Sequence, residues 1–136
     1  MDWSGSTRYQ SEFDFAVGVW NAHRNVIRKK TLFTMTDAVV FDYSDTSDKA
    51  WGGIAPKKVL VNGAINAGLI GFNVAQMGPG TTAQRRMVTL HELGHTLGCD
   101  ENPGNNVMNQ GFTNPPRSSL SASDKASANE AWRRYR

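Results

Sequence analysis

Hydrophobic positions recur at helical spacing in residues 11 to 27, "SEFDFAVGVWNAHRNVI", where Phe13, Ala16, Trp20 and Ile27 form one stripe. This predicts a long amphipathic helix with Ser11 as its cap. The period then changes. "TLFTM" and "DAVVFDYSD" are rich in β-branched and aromatic residues and are separated by a polar turn at Thr36 and Asp37, so two strands are expected. "KAWGGIAP" predicts a short strand whose glycine pair and Pro56 suit a sheet edge. "KKVLVNGAIN" predicts a further strand around Val59 to Asn62. Residues 66 to 80 are glycine-rich and end in "GPG", which predicts an irregular loop.

Helical periodicity returns at "TTAQRRMVTLHELGHTLG". Met87, Leu90 and Leu97 are its apolar positions, Thr81 or Thr82 caps it, and Gly98 stops it. "CDENPGNNVMNQGFTNPPRSS" is too dense in Asn, Gly and Pro to be regular. "LSASDKASANEAWRRY" predicts a closing helix capped by Ser121 or Ser123. No repeat, low-complexity tract or linker interrupts the chain, so residues 1–136 are expected to form one domain. The order of elements predicts an α+β fold, a mostly sequential sheet backed by helices.

Composition narrows the class. The chain has 39% hydrophobic and 20% charged residues, a globular balance. No apolar run approaches the roughly 18 residues that a membrane span needs, so no membrane association is expected. The start, "MDWSGSTRYQ", lacks the pattern of a signal peptide, which fits a cytosolic protein or the mature part of a secreted one. The net charge of +3 gathers at Arg28 to Lys30 and Arg133 to Arg136. Both clusters are expected at helix ends, where they complement the dipole. Without aromatic interleaving or a binding motif, no nucleic-acid partner is expected. Cys99 is the only cysteine, which excludes an internal disulfide and is read as a small buried filler.

The candidate chemistry lies in residues 91 to 101, "HELGHTLGCDE". On a helix, positions i and i+4 share a face, so His91 and His95 can direct two imidazoles at one ion. Imidazole suits zinc, and a catalytic zinc takes three protein ligands and keeps a fourth position for water. His23, the only other histidine, is far away in sequence, so an acidic residue must complete the site. Asp100 and Glu101 follow at once. Glu92 lies one residue round the helix, where a carboxylate can take a proton from that water. The bland alternative is a surface helix with solvated histidines. Against it stand Gly98, the nearby acidic residues, and Met108 in a compact "NNVMNQG" turn.

HExxH, then xxG, a third ligand and a methionine turn resembles the metzincin pattern. "MVTLHELGHTLG" with "VMNQG" is most similar to small bacterial metzincins, the snapalysin and matrixin-like proteases. The likeness extends to "AVGVWNAHRNV", "DAVVFDYSDTSDKAWGGIAPKKVLVN" and "ASANEAW", which resemble their first helix, middle strands and final helix. The resemblance implies a twisted, mostly parallel sheet with an antiparallel edge strand. A long N-terminal helix, the HExxH helix and a C-terminal helix would pack on it. It implies a secreted, extracellular, monomeric zinc endopeptidase with ligands His91, His95 and Glu101, catalytic base Glu92 and Met108 as a structural floor. A protein or peptide substrate would bind in extended form along an edge strand at Ala50 to Ala55. Residues 109 to 113 would help wall a substrate pocket, with Phe112 either in that pocket or in the core.

There are departures from the pattern. Relatives carry His or Asp where this chain has Glu101, no tyrosine occurs in residues 109 to 113, and no inhibitory prosegment cysteine is visible. Two other readings stay open. One is a gluzincin-like peptidase with Glu130 as third ligand; the other is a metal-binding but inactive protein-binding module of the same fold.

Overall fold

Alternation along "AVVFDY" makes a two-sided strand: Ala38 and Val40 are buried while Val39 is 41% exposed. The computed structural model describes residues 2–24, 27–29, 38–44, 46, 53–54, 59–61, 64–66 and 69–135. At 53–54, 59–61, 64–66, 69 and 134–135 it describes the backbone. Strand β1 (Asp2–Gly5), helix α1 (Gln10–His23) and strand β2 (Arg28–Lys29) form a strand–helix–strand unit with parallel strands. Strand β3 (Ala38–Tyr43) is parallel to β1 on its other side. The remaining elements are β4 (Gly53–Ile54), β5 (Val59–Val61), β6 (Ala64–Asn66), β7 (Leu69–Asn73), α2 (Val74–Met77), α3 (Thr82–Thr96) and α4 (Ala122–Tyr135). Strand β7 runs parallel to β3, and β4 forms an antiparallel edge against β7. The five-stranded sheet has the order β2-β1-β3-β7-β4, and β5 and β6 form a separate antiparallel pair. The fold is α+β, with a small, mostly parallel sheet and several helices. Among the described residues, no helix is long and apolar enough to cross a membrane.

The core lies between the sheet and the paired helices α1 and α3. The Phe13 ring of α1 sits 4.5 Å from Trp3 of β1 and 6.3 Å from Phe72 of β7, both edge-on. Such pairs add about 0.5–1.5 kcal/mol to the area they bury. Trp20 is buried and its indole N–H donates to the Leu90 carbonyl of α3 at 3.0 Å. This ties the histidine-bearing helix to α1. Cys99 is buried in the same core, as a filler should be.

Several expectations need correction. Helix α1 spans Gln10–His23, and Ile27 is buried beyond its end. Its N-cap is Tyr9 rather than Ser11; Asp42 of β3 instead accepts the Arg8 N–H at 2.8 Å and anchors the helix entry. The expected loop at 66 to 80 contains β7, an inner strand, and α2. Gly71 fits within that strand because Phe41 and Tyr43 of β3 lean over it, leaving 2.7 Å between a β-carbon there and the Phe41 ring. Residues 2 to 5, given no element by pattern, form the inner strand β1, so the sheet is not sequential. Arg28 and Lys29 belong to a strand and not to a helix end. The expected "TLFTM" strand and the turn at Thr36 and Asp37 lie outside the described residues. So does most of the expected Ala50 to Ala55 strand, of which β4 is the described part.

Candidate metal centre

Helix α3 begins with a reciprocal cap. The Thr81 hydroxyl accepts the Gln84 N–H at 3.1 Å, and the Gln84 side chain accepts the Thr81 N–H at 2.9 Å. It ends at Gly98, whose φ of 102° lies where a side chain is strained. There the Cys99 N–H donates to the Gly94 carbonyl at 2.9 Å and the Gly98 N–H to the His95 carbonyl at 3.0 Å. This paired closure reverses the chain. The reversal carries the Cys99 carbonyl against His95, whose Nδ1 lies 2.9 Å away. His91 Nδ1 lies 2.8 Å from the Val107 carbonyl in the turn that carries Met108.

These two contacts fix the tautomers. A carbonyl can only accept, so each Nδ1 carries a proton, and a ring in its neutral form presents an Nε2 lone pair on its other side. The two Nε2 atoms are 3.0 Å apart. Glu101 Oε1 lies 3.1 Å from Nε2 of His91 and 2.9 Å from Nε2 of His95. Three acceptors therefore converge on one point. Burial holds the His91 pKa below its ordinary value, against the opposing pull of the Val107 carbonyl, so protonation of that ring is disfavoured. A cation between the three atoms relieves the repulsion. Tetrahedral ligands with bonds of about 2.0–2.2 Å stand about 3.3–3.6 Å apart, a few tenths of an ångström wider than the triangle found here. His91, His95 and Glu101 are thus a group able to hold a metal ion.

Glu92 is buried, and no described group hydrogen-bonds to its carboxylate. Burial first, and the Glu101 charge second, push its pKa up to about 8. Met108 is fully buried and presses on Gly94, where a β-carbon would collide with the methionine sulfur and lie 3.1 Å from the Trp20 ring. The glycine inside "HELGH" makes room for that floor. Its role was missed by sequence reasoning, although a helix-interior glycine costs about 1 kcal/mol against alanine and so signals a close approach. Asp124 was missed too. It sits in "SASD", a capping pattern read only for its serine, and is fully buried beside the methionine turn.

Not every candidate joins the group. Asp100 is exposed and lies outside it. Glu130 is bound by Arg133 at 2.7 Å on the outer side of α4 and also lies outside it, so the geometry does not bring it to the histidines. Phe112 is 41% exposed and is not a core aromatic. Edge strand β4 packs near α3. No family model matches the chain, and no curated protein matches it significantly.

Proposed function

We propose that the protein is a zinc-dependent endopeptidase of the metzincin type. One observation carries this reading: Nε2 of His91, Nε2 of His95 and Oε1 of Glu101 converge with both Nδ1 atoms turned to backbone carbonyls. Such outer hydrogen bonds orient ligating histidines and raise their basicity. Two imidazole nitrogens and one carboxylate oxygen suit zinc and leave one tetrahedral position open.

When bound, the metal supplies acidification of a water and polarisation of a carbonyl. The chain's own residues do the rest. Glu92 follows His91 directly on the same helix, and in this reading its carboxylate takes a proton from water at the site. It then returns that proton to the leaving amine of the cleaved peptide. Its burial excludes bulk solvent from the transfer. Edge strand β4 has no strand on its outer side among the described residues, which suits pairing with an extended protein or peptide substrate. Met108 supports the histidine helix from below through Gly94 and is not a ligand.

The test is cleavage of an unstructured protein such as casein. Activity is expected to vanish with a chelator and return with zinc. Glu92→Gln is expected to retain zinc and lose about 10²–10⁴ in rate, the usual share of general-base catalysis. Cleavage by the metal-free protein, or a Glu92→Gln rate above about a tenth of wild type, contradicts the proposal.

A further inference from the structure

The first turn of α4 touches the turn whose carbonyl aims His91 and the residue that follows Glu101. Asp124 is fully buried there. Its Oδ2 accepts the Val107 N–H at 3.0 Å, and its Oδ1 accepts the Met108 N–H at 3.3 Å. Oδ2 also accepts the Ser121 N–H at 2.8 Å, while the Ser121 hydroxyl accepts the Asp124 N–H at 3.0 Å. That hydroxyl donates to Asn106 Oδ1 at 2.6 Å. One residue on, the Ser123 hydroxyl accepts from the Asn102 side chain at 2.6 Å, and the Asn102 N–H donates to the Met108 carbonyl at 2.7 Å.

These bonds connect in a definite order. Val107, whose N–H is held by Asp124, offers its own carbonyl to His91 Nδ1. Asn102, held by Ser123 and Met108, is the next residue after Glu101. A helix cap alone does not require a buried carboxylate, because an exposed one caps as well. A carboxylate at this depth is stable only with its donors in place. The methionine turn and the first turn of α4 therefore form together.

We infer that the first turn of α4, with Asp124 at its centre, is the positioning element of the metal centre. It fixes the carbonyl that orients His91 and the backbone that carries Glu101. The inference rests on the metal-site reading above. Asp124→Asn keeps the shape but sets an NH₂ group against one or two of the three N–H donors.

The test compares wild type with Asp124→Asn, Ser123→Ala and Glu130→Gln, which lies farther along the same helix. Zinc affinity is measured by chelator competition, ligand geometry by the visible spectrum of the cobalt(II)-loaded protein, and folding by far-ultraviolet circular dichroism. Asp124→Asn is expected to weaken zinc binding roughly 10–100-fold, the usual effect of losing an outer-shell partner. Its cobalt spectrum is expected to change while the metal-free fold stays intact. Ser123→Ala, which removes one exposed hydrogen bond, is expected to weaken binding several-fold, and Glu130→Gln is expected to behave as wild type. A folded Asp124→Asn variant with wild-type affinity and spectrum overturns the inference. If that variant does not fold, the same result for Ser123→Ala overturns it. A wild-type protein that takes up neither zinc nor cobalt defeats the metal-site reading itself, a distinct outcome.

Discussion

Glu92 is a carboxylate placed where ionisation is costly. Its pKa moves from an ordinary 4.5 to about 8, chiefly through burial. Between those values the folded, metal-free protein holds a proton that the unfolded chain has released. Rising pH then favours unfolding, so stability present below about 4.5 is lost as pH approaches 8. His91 acts in the opposite sense: its lowered pKa removes stability as pH falls below its ordinary 6.5. Glu92→Gln abolishes only the first effect. Metal-free Glu92→Gln is expected to exceed wild type in stability at pH 8, on the order of a few kcal/mol, with the gap closing toward pH 4.5. Thermal unfolding of both proteins across that range checks this, and a pH-independent gap contradicts it. At this scale the grouping of the candidate ligands was readable in the sequence. The four-residue spacing of His91 and His95 states their geometry locally, and the chain reversal at Gly98 brings Glu101 back to them. Gly94 and Asp124 were not readable as site residues, because their meaning lies in contacts with Met108, 14 and 16 residues away.

Elements position the site through their ends. Gly98 gives the clearest case, since its positive φ closes α3 and delivers the Cys99 carbonyl to His95. Gly98→Ala is expected to cost about 1–2 kcal/mol of stability, the price of a β-carbon in the left-handed region. It is also expected to weaken metal binding by displacing that carbonyl. Denaturant midpoints and zinc competition measure the two effects, and a variant equal to wild type in both contradicts the account of the helix end. Helix α1 was legible from its apolar stripe alone, while α3 and α4 also carried a cap or stop in the sequence. Strand β7 was not, since Gly71 reads as a breaker until Phe41 and Tyr43 are seen covering it. Strand β1 was equally hidden: four residues, of which Trp3 alone is a large buried hydrophobe, show no period.

Across the molecule, the sheet and α1 pack against α3 while a single irregular stretch, residues 99 to 120, wraps back to the candidate centre. Trp3, Phe13 and Phe72 clamp α1 to the sheet, and Trp20 clamps α3 to α1. The two histidines thus stand on a packed helix, and Glu101, the candidate third ligand, comes from the loop. Strand order was beyond the sequence because it depends on which partner buries which face, a long-range choice. The α+β class needed only element types and their order. Whether His91, His95 and Glu101 together hold one zinc is measured by zinc content after loading and gel filtration of wild type, Glu101→Ala and Asp100→Ala. About one zinc per chain is expected for wild type and Asp100→Ala, and little for Glu101→Ala. Full zinc in Glu101→Ala with loss in Asp100→Ala, or no zinc in wild type, would contradict the proposed site.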